Sequence, residues 1–290
     1  MKPIHAVFAL FLLLVLAGCA ASPVGSYQST AVSNSILNSE LALAARSYEG
    51  IDRNPVVIIH GFLGARLADP AGPVWGNFST ATFSDANLKA LGLPMEIGKP
   101  LAALVSPSVP AGILDDAEIR FAGFTFRQPG YGLAVDRLVK AGYVDGSRPL
   151  PRGRKHPNLF SFAYDWRRDL PESAAKLHEF LLEKRRYLQE LYEAEYGVRD
   201  YDVQFDLVAH SMGGLLARYY LMYGDQDLPH DPEKLPELDW RGCLMVDKLL
   251  VVGTPNDGYL DTFRELVEGL VLVPGAPRLP SGILATFPSY

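Results

Sequence analysis

Short apolar segments that alternate with a long helical segment constrain the fold of this chain most. The run Pro55–Ile59 is uninterrupted and rich in β-branched residues, as strands buried in a parallel sheet are. Three further segments, 160–164, 202–208 and 248–252, are also strand candidates. Between the second and the third strand, Pro171–Tyr196 places its apolar residues at helical spacing. This order predicts an α/β fold, a mostly parallel sheet with flanking helices and right-handed crossovers.

Composition excludes several classes of protein. The chain has 290 residues with 27 basic and 33 acidic side chains, and its net charge of −6 lacks the basic surplus of nucleic-acid-binding proteins. With 48% hydrophobic and 21% charged residues, the chain has enough apolar material for a packed core, which excludes disorder over most of its length. We therefore expect a globular protein with no nucleic-acid partner.

The N-terminus has the pattern of an export signal. Lys2 precedes an apolar run, Ala6–Leu16, that is too short to span a bilayer. The run leads into Leu16–Cys19, which resembles the lipobox of bacterial lipoproteins, in which the cysteine is acylated and becomes the mature N-terminus. This resemblance implies a lipoprotein signal peptide over residues 1–18 and lipid attachment at Cys19. The alternative is an ordinary secretory signal that contains a cysteine by chance.

Lipid attachment would decide the location of the protein. Two or more acyl chains anchor a protein on a membrane without a spanning helix. We expect the bacterial cell envelope, and by resemblance to lipoprotein sorting, Ala20 favours the periplasmic side of the outer membrane in a host with two membranes. Residues 19–35, mostly small or polar, are expected to form a flexible tether, followed by a short helix over 36–47. With Cys19 acylated, Cys243 has no disulfide partner and is expected to be a buried, inert thiol.

The segment Asp206–Leu216 joins an apolar strand to an apolar helix through a turn with Ser211 at its apex. Gly213 and Gly214 follow the serine, and small residues are needed there because the strand and the helix nearly touch. The pattern is typical of a nucleophile elbow, although Ala209 replaces the first glycine of Gly-x-Ser-x-Gly. A serine N-cap before a helix is the structural alternative. The pattern favours Ser211 as a catalytic nucleophile.

The loop His60–Gly64 directly follows the first strong strand and lies about 150 residues before the elbow. In hydrolases with such an elbow, a backbone N–H of this loop and the N–H after the nucleophile hold the developing oxyanion. Phe62 and Met212 are therefore the expected oxyanion-hole donors. His60 is expected to give a supporting hydrogen bond and to take no part in proton transfer.

With these residues the chain resembles the lecithin:cholesterol acyltransferase family of α/β-hydrolases, which includes acyltransferases, phospholipases and related lipases. The resemblance rests on Pro55–Leu67, Ala163–Arg167, Ala209–Gly214 and Gly253–Gly258. It implies an α/β-hydrolase fold over residues 36–290 with a cap or lid insertion over residues 68–156. The most specific motif is Tyr164-Asp165-Trp166-Arg167, for which a strand-end ion pair stacked on an aromatic ring is the plain structural interpretation.

The resemblance also implies the chemistry. It points to a serine acyl hydrolase or O-acyltransferase with membrane lipids as substrate and anchor, and it requires no cofactor. Trp75 and its neighbours are candidates for lipid contact, with a buried core tryptophan as the alternative. His60 departs from the proline usual in eukaryotic members, whereas bacterial lipases often have histidine there. No metal is expected, because no His, Asp or Glu cluster has ligand spacing.

A catalytic acid and a histidine are missing from the expected order after the nucleophile. His230 lies before the fourth strand, and Asp257 has the setting of a turn residue. Residues 253–290 are too few for two more helix–strand units of about 30 residues each. We therefore expect the acid and the histidine beyond Tyr290, the last strands to be missing, and the chain to be truncated.

Two functions from different classes remain open. In the first, the chain is a lipid-anchored serine esterase, lipase or acyltransferase that acts through an acyl-enzyme on Ser211. In the second, it is a catalytically inactive, truncated lipoprotein that at most binds lipid. The sequence leaves open the lipid ester, the acceptor of the acyl group and the oligomeric state.

Overall fold

The structure is a computed structural model that describes residues 40–78, 80–95, 100, 103–121, 124–229, 231, 233–272 and 278–290. The expected signal peptide and tether, including Cys19, lie outside these residues, as does His230. The described residues 40–47 belong to one unit, and residues 48–290 form a second, compact unit. The described part of the first unit contains helix α1 (Glu40–Ser47), within the helix that the sequence predicts over 36–47.

The second unit alternates strands and helices. Its described strands are β1 (Val56–Ile59), β2 (Ala65–Asp69), β3 (Gly72–Trp75), β4 (Asn77–Phe78), β5 (Val109–Ile113), β6 (Asp116–Phe121), β7 (Phe124–Pro129), β8 (Leu159–Phe162), β9 (Phe205–His210) and β10 (Val246–Val252). Its described helices are α2 (Asp85–Leu91), α3 (Gly132–Lys140), α4 (Leu170–Tyr196), α5 (Met212–Tyr223), α6 (Asp261–Glu268) and α7 (Ser281–Leu284), with 3₁₀ turns at Thr80–Phe83 and Arg241–Leu244. No helix in the described residues is long and apolar enough to span a bilayer.

Strands β1, β8, β9 and β10 form a parallel sheet in the order β10-β9-β1-β8. In its centre, Ile58 of β1 pairs with Ser161 of β8 on one side and with Val208 of β9 on the other. All four side chains of β1 are buried, as expected for a strand that is covered on both faces. The sheet confirms the predicted mixed α/β class, and the four predicted strand segments form its strands.

The order of the strands creates a switch point between β1 and β9. The chain leaves β1 towards β8 on one side of the sheet, whereas it leaves β9 towards β10 on the other side. Connections that diverge from two neighbouring parallel strands open a crevice beyond their carboxyl ends, where open α/β sheets bind ligands. The loop after β1 and the turn after β9 therefore meet at the position that this topology favours for a site.

Helix α4 begins and ends at strong local signals. The Asp169 side chain accepts a hydrogen bond from the Glu172 N–H at 3.2 Å, and Gly197 ends the helix with a φ of +70°. Its buried stripe faces the core and packs near α5. The stripe includes Ala174, Leu177, Leu181, Leu188 and Tyr192. Because helical periodicity is a local pattern, the sequence predicts this helix to within one residue.

The segment between β1 and β8 forms two small sheets of its own, in the orders β3-β2-β5 and β4-β6-β7. Trp75 of β3 is 2% exposed, donates from Nε1 to the Leu63 carbonyl at 3.0 Å and packs edge-on against Trp166. The interpretation of Trp75 as a lipid-contacting residue is therefore wrong. Its ring packs in the core and its N–H is hydrogen-bonded there, so the alternative interpretation, a buried core tryptophan, is confirmed.

Cys243 is exposed, so the expectation of a buried thiol is wrong. The residue lies in the 3₁₀ turn before β10, where Gly242 takes the buried position. A Cβ at Gly242 would lie 2.0 Å from the Tyr220 carbonyl oxygen. The turn therefore packs against α5 at Gly242, whereas the next two residues, Cys243 and Leu244, are exposed.

Strand β10 contrasts with β1. It pairs with β9 and forms one edge of the described sheet. Its Leu250, Val251 and Val252 are between 40% and 58% exposed, and Phe263 of α6 is 72% exposed. An exposed strand edge with apolar side chains favours association with other chains.

Candidate active site

Ser211 lies in the turn between β9 and α5 with a φ of +53° and a ψ of −126°. Positive φ is uncommon for a residue with a side chain, and such a conformation costs on the order of 1–3 kcal/mol. Two backbone hydrogen bonds hold it, from the Ser211 N–H to the Val252 carbonyl at 2.9 Å and from the Gly214 N–H to the Ser211 carbonyl at 3.0 Å. The turn therefore has the strained strand-to-helix geometry of a nucleophile elbow.

Glycines allow the elbow to pack against the neighbouring strand ends. A Cβ at Gly213 would lie 2.3 Å from the His60 carbonyl oxygen, and one at Gly214 would lie 2.0 Å from Thr254 Oγ1. A Cβ at Gly61 would lie 2.7 Å from the Ser211 Cβ. The loop after β1, the elbow and the segment after β10 thus meet at distances that leave no free space for a side chain at these three positions.

Two backbone donors near Ser211 have no acceptor among the residues that the structure describes. The Phe62 N–H and the Met212 N–H make no hydrogen bond within the described part of the chain, and neither does the Ser211 hydroxyl. The neighbouring Leu63 has a φ of +63°, so the loop that carries Phe62 is itself in an unusual conformation. Free N–H groups of this kind can stabilise negative charge that develops on a carbonyl oxygen.

His60 is fully buried and supports the loop. Its Nδ1 donates to the Gly61 carbonyl at 2.8 Å, its Nε2 accepts from the Tyr164 N–H at 3.2 Å, and its ring stacks on Tyr164 with 4.2 Å between centroids. Burial lowers the pKa of His60 to about 4, so the imidazole is neutral at pH 7. Both ring nitrogens of His60 are hydrogen-bonded to the backbone, which fits the expected role of supporting the loop.

The other described histidines are also engaged away from Ser211. Nδ1 of His156 lies 2.9 Å from the Tyr196 hydroxyl, and Nδ1 of His178 lies 3.2 Å from the Tyr220 hydroxyl. His210 contacts Tyr131 through Nδ1, and its pKa is lowered by burial. None of the histidines in the described ranges is hydrogen-bonded to Ser211 Oγ. Asp257, weighed above as a candidate acid, is an exposed turn residue.

Tyr131 joins the two parts of the site, and the sequence reasoning missed it. Its hydroxyl oxygen accepts from the Gly61 N–H at 2.7 Å and lies 2.7 Å from Nδ1 of His210. Burial raises the pKa of this hydroxyl, so it stays protonated and can donate to the neutral imidazole. A signal was present in the sequence, because Gly130 and Gly132 flank the tyrosine, but its partners lie about 70 and 79 residues away.

The motif Tyr164–Arg167 holds the site to the inserted segment. The Arg167 guanidinium is fully buried and binds the Asp165 carboxylate with two hydrogen bonds, of 2.9 and 2.8 Å. Arg167 also donates to the Leu91 carbonyl at 2.8 Å, and Trp166 Nε1 donates to the Ala65 carbonyl at 3.0 Å. The ion pair of the plain structural interpretation is therefore present, at the end of β8.

Residues 130–273, about half of the chain, match the family model described as Lecithin:cholesterol acyltransferase. Over this segment the chain belongs to the lecithin:cholesterol acyltransferase family. The resemblance inferred from the motifs is thereby confirmed. A search of curated proteins found no match.

The segment matched to the lecithin:cholesterol acyltransferase family contains Tyr131, Tyr164–Arg167 and Ser211, whereas the loop with Phe62 lies before it. Membership indicates acyl-transfer or lipase-like chemistry on lipid substrates. The described residues hold no group of three or more His, Cys, Asp or Glu side chains placed to bind a metal ion.

Proposed function

We propose that this chain is a lipid-anchored serine acyl hydrolase or O-acyltransferase that acts on lipid esters through an acyl-enzyme on Ser211. The observation that carries the proposal is the backbone of Ser211, with a φ of +53°, beside two N–H groups, those of Phe62 and Met212, that have no acceptor among the described residues. Membership of the family supports the class of reaction.

In the proposed reaction, Ser211 Oγ attacks the ester carbonyl carbon and its proton passes to a general base. As the new C–O bond forms, the carbonyl electron pair moves onto oxygen, where the Phe62 and Met212 N–H groups donate to it. Collapse breaks the ester C–O bond, and the leaving alkoxide takes the proton from the base. Water or an alcohol then attacks the acyl-Ser211 ester by the same steps and releases an acid or a new ester.

Anchoring is part of the proposal. Acylation of Cys19 would hold the protein at the bacterial envelope, on the periplasmic side of the outer membrane where the host has two membranes. The motif Leu16–Cys19 and the apolar run before it support this step. An anchored enzyme meets membrane lipids as substrates without diffusing through water.

The competing proposal is a catalytically inactive lipoprotein that at most binds lipid. It is favoured by one observation, that no histidine of the described ranges is hydrogen-bonded to the Ser211 hydroxyl. A serine hydroxyl without a base is a poor nucleophile at neutral pH. Reaction of Ser211 with an activated electrophile separates the two proposals.

The test is labelling by a fluorophosphonate, which requires an activated serine, together with hydrolysis of short p-nitrophenyl esters. We expect mapping by mass spectrometry to place the label on Ser211, and Ser211→Ala to lower turnover at least about 10³-fold. Ser161→Ala is the matched control, because Ser161 is a half-buried serine of strand β8 in the same sheet, and this variant should keep both signals. A folded wild-type protein that neither labels nor hydrolyses would favour the inactive lipoprotein.

A further inference from the structure

The peptide group between His60 and Gly61 is held at both ends by tyrosine hydroxyls. At one end, the Gly61 N–H donates to the Tyr131 hydroxyl at 2.7 Å. At the other end, the Tyr164 hydroxyl donates to the His60 carbonyl at 2.9 Å. The two tyrosines come from different parts of the chain, one before α3 and one after β8. Neither the N–H nor the C=O of this peptide can turn without breaking a hydrogen bond.

The next peptide group carries the Phe62 N–H and is held by hydrogen bonds of its own. The Gly61 carbonyl accepts from His60 Nδ1 at 2.8 Å and from the Gly64 N–H at 3.1 Å. In a trans peptide the N–H points opposite to the C=O, so the Phe62 N–H points away from these donors. The two peptide groups meet at the Gly61 Cα atom, so a displacement of the first would displace the second and re-aim the Phe62 N–H.

Tyr131 is itself tied to the loop that it holds. Its N–H donates to the Leu114 carbonyl at 3.0 Å, and the Leu114 N–H donates to the Gly64 carbonyl at 2.8 Å. A Cβ at Gly130 would lie 2.2 Å from the Leu114 carbonyl oxygen, so glycine is required beside the tyrosine. The backbone and the hydroxyl of Tyr131 therefore act on opposite ends of the segment from Gly61 to Gly64.

The same hydroxyl reaches the elbow. Nδ1 of His210, the residue before Ser211, lies 2.7 Å from the Tyr131 oxygen, and the two rings meet edge-on at 5.7 Å. The Tyr131 oxygen thus contacts both the loop that carries the Phe62 N–H and the end of β9, which leads to the Met212 N–H. Tyrosine can do both because its oxygen accepts one hydrogen bond while its O–H donates another.

We infer that Tyr131 is a positioning residue that fixes the Phe62 N–H relative to Ser211 by joining the Gly61 N–H to His210. This inference rests on the proposed function, since a fixed N–H matters where an oxyanion forms. Tyr131 touches no reacting atom, so it acts through Gly61 and His210. Tyr131→Phe keeps the ring contacts and removes only the hydroxyl.

The first measurement needs no catalysis. Hydrogen–deuterium exchange of the Gly61 amide, followed by NMR, should be at least about tenfold faster in Tyr131→Phe than in wild type. The matched control is Tyr196→Phe, which removes another tyrosine hydroxyl from a histidine Nδ1, that of His156 at 2.9 Å. It should leave Gly61 exchange at the wild-type rate. Unchanged Gly61 exchange in Tyr131→Phe would overturn the inference.

The second measurement is the rate of Ser211 phosphonylation by a fluorophosphonate. We expect Tyr131→Phe to lower the rate constant of inactivation about 10-fold to 100-fold while the inhibitor's binding constant stays within about twofold. If Tyr131 only stabilised the fold, Tyr131→Phe would lower the urea concentration at the midpoint of unfolding and would leave the rate constant of inactivation unchanged. Faster Gly61 exchange with a wild-type inactivation rate would overturn the positioning role. If the wild type itself does not react, the proposed function fails, and Gly61 exchange decides the Tyr131 inference alone.

Discussion

Gly61 and Ser211 approach so closely that a Cβ atom at residue 61 would lie 2.7 Å from the Ser211 Cβ. The same atom would lie 3.1 Å from the His210 carbonyl oxygen, which is backbone and cannot swing aside. Contact between the loop after β1 and the turn after β9 is therefore a property of the fold. It brings the free N–H groups of Phe62 and Met212 to the same end of the sheet as the serine.

Replacement of Gly61 by alanine tests this contact. We expect Gly61→Ala to destabilise the protein by about 1–3 kcal/mol, because a methyl group is forced into a packed space, and to slow fluorophosphonate labelling of Ser211. Gly282→Ala is the control, because a Cβ there meets nothing within 4 Å. Urea denaturation and labelling rates measure both effects. Wild-type values for Gly61→Ala would contradict the close contact.

The buried Arg167–Asp165 pair should be far more important for stability than an exposed pair. Arg167→Ala leaves a largely buried carboxylate without its partner, and we expect a loss of about 3–5 kcal/mol in the free energy of unfolding. Arg148→Ala removes an arginine side chain that is 59% exposed and paired with Asp145, and should cost less than about 1 kcal/mol. Urea denaturation compares the two, and equal losses would refute the assigned role of Arg167.

His60 predicts a pH dependence of stability. Because burial lowers its folded-state pKa from 6.5 to about 4, the unfolded chain binds a proton between these values while the folded chain does not. Stability should therefore fall as the pH drops from about 6.5 to about 4, by on the order of 3 kcal/mol from this group. His60→Gln removes the titrating group, so its unfolding free energy should vary less over this range. An identical pH slope in both proteins would contradict a neutral, buried His60.

Lipid attachment at Cys19 is tested in cells. We expect labelled palmitate fed to an expressing bacterium to enter the protein, because Leu16–Cys19 has the lipobox pattern. Cys19→Ser should abolish incorporation. Cys243→Ser is the matched control, since it removes the exposed cysteine and should keep the label. Label retained in Cys19→Ser would exclude this residue as the attachment site.

Several local features of the fold could be predicted from the sequence. The run Pro55–Ile59 predicts a buried parallel strand because continuous β-branched residues suit a strand covered on both faces. Helix α4 is predicted almost to its ends because its apolar residues recur at helical spacing, and the structure adds the caps Asp169 and Gly197. Ser211 is recognised as an elbow residue because its glycine neighbours lie beside it in the chain.

What only the tertiary structure decided concerns partners that are distant in the chain. Exposure of Cys243 depends on which residue of its turn faces Tyr220, and burial of Trp75 depends on a carbonyl and a ring brought to it by folding. Tyr131 acquires its two partners across about 70 and 79 residues. Sequence patterns record periodicity, caps and turn chemistry because these act between near neighbours, whereas the direction of a hydroxyl and the burial of a side chain are set by packing between segments. The sequence by itself therefore determined the α/β class and the candidate nucleophile, and the tertiary structure decided which groups hold the backbone around it.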